Sequence, residues 1–326
     1  MRLLLCLLLL LPALASADPA SYAEREDVRA FVAEMHERNG FDNDELLHLF
    51  AQAQSLPVVI KEIQPPAEPG IRSWQLYRSR FVEPRRIRAG AKFWQANKAS
   101  LARAEAQYGV PREIIVGILG VETIYGKHNG HFQTFSALAT LAFDYPPRAA
   151  LFRGELEALL LLAREEKRAV LDYRGSYAGA IGMPQFLPSS IRQWAVDFDG
   201  DGSIDLSSPA DAIGSVARFL AEHGWEKGGL ILTPAKADGS RIGELLAEGI
   251  KPQRTPEQLA AFGVTANDAP PCPAALIDYV TPEVPTSYRL GYNNFYVITR
   301  YNRSTFYATA VYELAETVKA HLTPRP

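Results

Sequence analysis

The segment Gly109-Val110-Pro111-Arg112-Glu113-Ile114-Ile115-Val116-Gly117-Ile118-Leu119-Gly120-Val121-Glu122-Thr123-Ile124-Tyr125-Gly126 narrows the folds open to this chain more than any other. Pro111 stands at a first helical position, where it has no amide hydrogen to lose, and Gly126 stands where a left-handed cap would close the helix. The spacing predicts one helix of about four turns. From Ile114 to Ile124 nearly every side chain is apolar or absent, so this helix offers water no face and belongs in a protein interior. Glu122 breaks the pattern. In the last turn of a buried helix its charged form is disfavoured by apolar surroundings and by the negative end of the helix dipole, and both effects raise its pKa. A carboxyl kept protonated near neutral pH can give a proton to a leaving oxygen. The other reading is a structural glutamate tied to an arginine or to backbone amides.

Residues 1–17 begin with Arg2, continue through a leucine run from Leu3 to Leu11 and end on Ala15-Ser16-Ala17. A positive start, an apolar middle and a small-residue A-x-A end predict a signal peptide cleaved before Asp18. Cys6 lies too near the start of the apolar run, without the small residues expected before a lipid-attachment site, so the mature form is expected to carry no membrane anchor. Cleavage leaves Cys272 alone, and a chain with one cysteine cannot make an internal disulfide. The net charge of −3 excludes nucleic acid as the expected partner. What remains is long enough for a large core or two sub-domains.

Apolar spacing predicts surface helices over Glu26 to His36 and Asn43 to Ala53, while Leu56 to Ile63 reads as strand-like or extended. Pro65 to Gly70 marks a junction. Ser73 to Val82 predicts a helix with Trp74, Tyr77 and Phe81 on one face, and Ala89 to Tyr108 a single long helix. Beyond the central helix, Phe135 to Phe143 predicts a buried helix ended by Tyr145-Pro146-Pro147, and Ala149 to Glu166 another. Residues 227–273 read as mixed, with short helices at Ile242 to Glu248 and Pro256 to Phe262.

Two segments point to ligands. Arg174 to Ser190 interleaves glycine and proline with Ser176, Tyr177, Gln185 and Phe186, an irregular loop that lets backbone approach a polyhydroxylated substrate; a tight loop packed on the core is the alternative. Asp197-Phe198-Asp199-Gly200-Asp201-Gly202-Ser203-Ile204-Asp205 sets acidic residues at positions one, three, five and nine, with glycine at six, as in a calcium-binding EF-hand loop. Position twelve is Ser208 in place of the usual glutamate, and Asp211 stands three residues on as a substitute ligand or as half of a capping box with Ser208. The C-terminal segment is aromatic, with Tyr288, Tyr292, Phe295, Tyr296, Tyr301, Phe306, Tyr307 and Tyr312. Tyr307, Val311, Leu314 and Val318 form a helical stripe that reads as core, whereas Tyr301 and Asn302 precede it and suit a sugar ring, apolar on its face and polar at its edge.

Taken together, Gly117 to Thr123, Gly179 to Ser189, Asp197 to Asp205 and Asn294-Phe295-Tyr296-Val297-Ile298-Thr299-Arg300-Tyr301-Asn302-Arg303-Ser304 resemble the lytic murein transglycosylase B family over roughly Tyr77 to Val318. The resemblance implies a mainly α, α+β fold. Its lysozyme-like catalytic region would cover residues 71–326, including the EF-hand-like loop 197–211 and the aromatic segment 288–320, after an N-terminal helical region at 18–70. It implies cleavage of the MurNAc–GlcNAc bond of peptidoglycan to a 1,6-anhydro sugar by a periplasmic, soluble monomer with no organic cofactor, acting on glycan strands and beside other cell-wall enzymes. By matching motif, Glu122 becomes the sole acid and base. Tyr77, Arg148, Ser176, Gln185, Phe186, Phe219, Tyr301, Asn302 and Tyr307 become the glycan groove, and Asp197, Asp199, Asp201, the Ser203 carbonyl and Asp211 the ligands of a structural Ca²⁺. Phe219 stands where the family is expected to carry tyrosine, and Pro147 where it carries a second arginine. Two alternatives stay open: a hydrolytic muramidase with Asp144 as its second carboxylate, and a non-catalytic glycan-binding module.

Overall fold

The computed structural model describes residues 21–65, 70, 72–267 and 269–323, so the expected signal peptide and most of the Pro65 to Gly70 junction lie outside the described residues. The chain divides into two compact units, one ending at Ser55 and one beginning at Leu56. In the first, α1 (Glu26–Asn39) and α2 (Asn43–Ala51) pack through Val28, Phe31, Val32, Met35, Leu46 and Phe50, with the Phe31 and Phe50 rings edge to face at 6.0 Å. The Asp42 carboxylate caps α2 by accepting the Glu45 amide at 2.9 Å.

The second unit opens with α3 (Pro57–Ile63), where the sequence suggests extended chain. The Val58-Val59-Ile60 run favours a strand, but Pro57 suits a first helical turn and burial of Val59 fixes the helix, which packs on α8 (described below). Next come α4 (Trp74–Phe81), α5 (Pro84–Ala96) and α6 (Lys98–Tyr108). The single helix expected from Ala89 to Tyr108 is broken at Asn97 (φ −116°, ψ 26°), whose side-chain amide donates to the Phe93 carbonyl at 2.8 Å and competes with the helical ladder.

The central helix α7 (Arg112–Thr123) is buried from Ile114 to Val121, as its sequence demands. Pro111 (ψ 141°) lies just outside it as the N-terminal cap and not at the first helical position. After β1 (Phe132–Gln133) come α8 (Thr134–Phe143), buried throughout, and α9 (Ala149–Glu166), which agrees with the predicted span. The strand β2 (Arg174–Gly175) pairs antiparallel with β1 and opens the glycine-rich loop, followed by α10 (Pro188–Trp194) and α11 (Pro209–Glu222).

The mixed region then builds an antiparallel sheet that composition did not reveal. Its strands are β3 (Leu232–Ala237), β4 (Val264–Thr265), β5 (Ala275–Thr281) and β6 (Val284–Gly291) in the order β4-β3-β6-β5, with α12 (Ile242–Ala247) and α13 (Pro256–Ala260) between the first two. Leu245, Leu259, Val264, Leu276, Leu290 and Tyr292 form its own small core. Pro234 in β3 and Pro285 in β6 hide these strands from pattern reading, since proline argues against a paired strand. Finally α14 (Asn293–Tyr301) leads into α15 (Thr305–Leu322), which lies along α7.

That contact depends on glycine. A Cβ on Gly117 would lie 2.6 Å from the Val311 carbonyl oxygen, and one on Gly120 would lie 2.8 Å from Leu314 Cδ2. Because the first obstacle is backbone, Gly117→Ala must push α15 off α7. We expect a loss of about 1–3 kcal/mol despite alanine's better helix propensity, checked by denaturant unfolding. Among the described residues no helix is long and apolar enough to cross a membrane.

Candidate active site

The helix α7 ends one residue after Glu122, and the chain reverses through three successive left-handed residues, Ile124 (φ 52°), Tyr125 (φ 58°) and Gly126 (φ 84°). The sequence places the cap at Gly126; in the structure Ile124 takes it, with the Ile124 and Tyr125 amides donating to the Gly120 and Leu119 carbonyls at 3.3 and 3.1 Å. Positive φ at two non-glycine residues costs on the order of 1–3 kcal/mol each and needs packing to hold it. Tyr125 supplies that packing. Its ring stacks on Phe93 at 5.2 Å, and its hydroxyl fills the space over Gly90 and Gly120, where a Cβ would come within 2.3 and 2.4 Å of it.

Glu122 is half-buried, and withdrawal of water raises its carboxyl from the ordinary 4.5 to about 7, while a hydrogen bond from Tyr307 pulls the other way. The Tyr307 hydroxyl donates to Oε1 at 2.5 Å. No arginine or backbone amide holds Glu122 among the described residues, so the partners a tied structural glutamate would need are not seen there. No second carboxylate contributes to its shift either; Asp144 sits at the C-terminal end of α8. The other oxygen, Oε2, has no protein partner among the described residues. Since Oε1 accepts from Tyr307, the acidic proton belongs on Oε2, facing away from the tyrosine. Removing the donor should raise the carboxyl further, because the lost bond favoured the charged form. Tyr307→Phe is therefore expected to move the alkaline fall of kcat/KM up by about one pH unit, measured as a pH–rate profile.

Aromatic rings surround this carboxyl. Tyr77 stacks on Trp74 at 6.4 Å and tilts against Phe306 at 5.6 Å, and its hydroxyl is pushed up by burial and by the Glu122 charge. Tyr301 lies parallel to Tyr307 at 6.5 Å and meets Phe219 at 4.9 Å and Phe186 at 5.8 Å. Its hydroxyl donates to the Pro184 carbonyl at 2.5 Å, which joins α14 to the glycine-rich loop. In that loop Gln185 adopts φ 53°, with Nε2 donating to the Gly182 and Asn129 carbonyls at 2.9 and 3.2 Å. Ser176 closes the preceding turn, its hydroxyl accepting the Ala180 amide at 3.2 Å. Asn302 is exposed just after α14, and Arg148 is exposed with its guanidinium 5.2 Å over the Phe152 ring. The structure thus gathers Glu122, Tyr77, Phe186, Phe219, Tyr301 and Tyr307 into one cluster, with Gln185 tied in through the loop. Sequence reading missed Trp194 and His223, which extend the row of rings beyond Phe219 at 4.9 and 4.0 Å. Their spacing to the other aromatics exists only in the fold.

The acidic loop forms a second centre. Asp197, Asp199 and Asp211 each bring a carboxylate oxygen within 4.8 Å of the others. Asp197 accepts the Gly200 and Gly202 amides at 2.7 and 2.8 Å, whereas Asp201 accepts the Ser203 amide at 2.8 Å and stands outside the three. Asp211 is buried, accepts the Phe198 and Asp205 amides at 2.7 and 2.8 Å, and is held above the usual carboxylate range by burial and by the Asp199 charge. Ser208 is the N-terminal cap of α11, but its hydroxyl donates to Asp199 at 3.3 Å, so the capping box does not form. Hard oxygen donors around a buried, repelled carboxylate fit Ca²⁺.

With this geometry in place, likeness to known proteins is informative. Residues 23–316 match the transglycosylase SLT domain. The chain is 42% identical over 308 residues to the membrane-bound lytic murein transglycosylase B of Escherichia coli (strain K12), covering 91% of this chain and 84% of that protein. Among solved structures it resembles the catenated lytic transglycosylase SltB1 of Pseudomonas aeruginosa (TM-score 0.88, 43% identity, 93% of this chain and 100% of that one). It also resembles the Escherichia coli lytic transglycosylase Slt35 in complex with calcium (TM-score 0.84, 42% identity, 92% and 95%). The mainly helical, lysozyme-like architecture expected from the sequence is therefore the one present. A protonatable glutamate at the end of a buried helix, the match along most of the chain and the agreement in fold lead to one conclusion: this chain belongs to the lytic murein transglycosylase B family and is a peptidoglycan-cleaving lyase.

Proposed function

We propose that the enzyme breaks the MurNAc–GlcNAc β-1,4 bond with Glu122 acting first as acid and then as base, leaving a 1,6-anhydroMurNAc end. The observation that carries this reading is a carboxyl raised to about 7, with one oxygen fixed by Tyr307 and the other open. Protonated Oε2 gives its proton to the glycosidic oxygen as the C1–O bond breaks. The N-acetyl carbonyl of the same sugar relieves the positive charge at C1, a substrate-assisted route that needs no second carboxylate. The Glu122 carboxylate then takes the proton of the C6 hydroxyl as O6 bonds to C1. Proton and bond counts close without water. In this reading Tyr77, Phe186, Phe219, Tyr301 and Tyr307 supply ring faces to the glycan. Arg148, Ser176, Gln185 and Asn302 supply polar contacts.

Asp197, Asp199 and Asp211, with Asp201 and the Ser203 carbonyl, would hold Ca²⁺, a reading supported by the calcium complex of Slt35. The ion would supply positive charge that ties the loop to α11. The leucine run and A-x-A end of residues 1–17 support export to the periplasm, where peptidoglycan lies. Digestion in heavy-oxygen water tests the chemistry: the proposed route puts no label in the product, whereas a muramidase would place labelled oxygen at every new reducing end.

A further inference from the structure

We infer that Thr123 is a positioning residue for Glu122, its buried hydroxyl locking the end of α7 to the glycine-rich loop so that the neighbouring carboxyl stays on Tyr307. The inference rests on the reading of Glu122 as the reacting group. Thr123 is fully buried. Its Oγ1 donates to the Met183 carbonyl at 2.9 Å and accepts the Gly126 amide at 3.0 Å, so one hydroxyl closes the left-handed reversal and anchors it across sixty residues of sequence. The next carbonyl along, that of Pro184, takes the Tyr301 hydroxyl at 2.5 Å. Tyr301 lies parallel to Tyr307, and Tyr307 donates to Glu122. Glu122 is therefore held in a closed circuit, through its own backbone to Thr123 on one side and through Tyr307 and Tyr301 on the other, and both arms end on Met183-Pro184.

The Met183 amide in turn donates to the Leu206 carbonyl at 2.9 Å, which seats this dipeptide against the end of the acidic loop. The reversal, with Ile124 and Tyr125 at positive φ, rests on Tyr125 packing and on the two hydrogen bonds of the Thr123 hydroxyl, and would loosen if those bonds were removed. The carboxyl would then lose its register with Tyr307 and admit water.

The test compares Thr123→Val, which keeps the volume and removes the hydroxyl, with Thr123→Ser, which keeps the hydroxyl. Thr140→Val serves as control, because it removes another buried hydroxyl, one that accepts the Leu56 amide at 3.0 Å away from Glu122. On peptidoglycan strands, Thr123→Val is expected to lower kcat about 10- to 100-fold with little change in KM. Thr123→Ser should restore kcat, and Thr140→Val should lower Tm alone. A second readout needs no turnover: in the ¹³C-carboxyl titration of the full chain, Glu122 should fall toward the ordinary glutamate range in Thr123→Val only, because burial is the larger cause of its raised pKa and the water admitted outweighs the lost Tyr307 bond. The groups facing it there are Tyr77, Tyr301 and Tyr307, none of which changes charge near neutral pH. Unchanged kcat and titration in Thr123→Val, equal damage in Thr123→Ser, or equal loss of kcat in Thr140→Val would overturn the inference. A wild-type enzyme that cleaves nothing would overturn the proposed chemistry instead, and the titration would still decide the role of Thr123.

Discussion

Glu122→Gln is expected to abolish turnover while leaving glycan binding in place. General acid and general base roles each contribute about 10²- to 10⁴-fold, and in the proposed route one side chain fills both, so the amide would forfeit the two together. Gln keeps the volume and still accepts the Tyr307 hydrogen bond, so the rings that would grip the glycan do not move. The same substitution should stabilise the fold, and the sign follows from linkage. Between pH 4.5 and about 7 the unfolded chain has released the Glu122 proton and the folded chain retains it, so wild-type stability falls as pH rises through that window. Gln carries no such cost, and the variant should gain up to about 3 kcal/mol above pH 7 and nothing below pH 4.5. Calorimetric glycan binding, muropeptide release and thermal unfolding at the two pH extremes check all three parts.

Asp211→Ala is expected to be the most damaging single change away from Glu122. Two opposed effects meet there. Removing a buried acid that Asp199 repels is favourable, but it strips partners from the Phe198 and Asp205 amides, and from Asp199 at 3.4 Å. Buried amides left unpaired cost about 1–3 kcal/mol each, so the loss dominates and a net destabilisation of about 3 kcal/mol is expected. Added Ca²⁺ should raise the Tm of the wild type, a chelator should reverse it, and neither should move the variant. Thermal scans with and without the ion check this.

The elements most legible in the sequence were those whose pattern admits one solution. The all-apolar run of α7 could only be buried, Glu122 could only be conspicuous within it, and α9 keeps its predicted bounds from Ala149 to Glu166. Tyr307 was harder. Its spacing with Val311, Leu314 and Val318 reads as core, and core it is, at 3% exposure; it also reaches Glu122 because Gly117 and Gly120 let α15 close on α7. That crossing is tertiary, and no periodicity within either helix announces it. The break at Asn97 and the helix at Pro57 were hidden by competition between local preferences that packing decides. The sheet was hidden because two of its strands carry proline. Thr123 looked like any helical threonine until Met183, far off in sequence, came to meet it.

If one carboxyl breaks the glycan without water, the ends it leaves carry the record. The most direct test is mass spectrometry of muropeptides released from purified peptidoglycan by residues 18–326, beside the Glu122→Gln variant. Products lighter by one water than reducing-end muropeptides, ending in 1,6-anhydroMurNAc, are expected from the wild type, and none from the variant. Reducing ends from the wild type, or anhydro products from the variant, would contradict the proposed route.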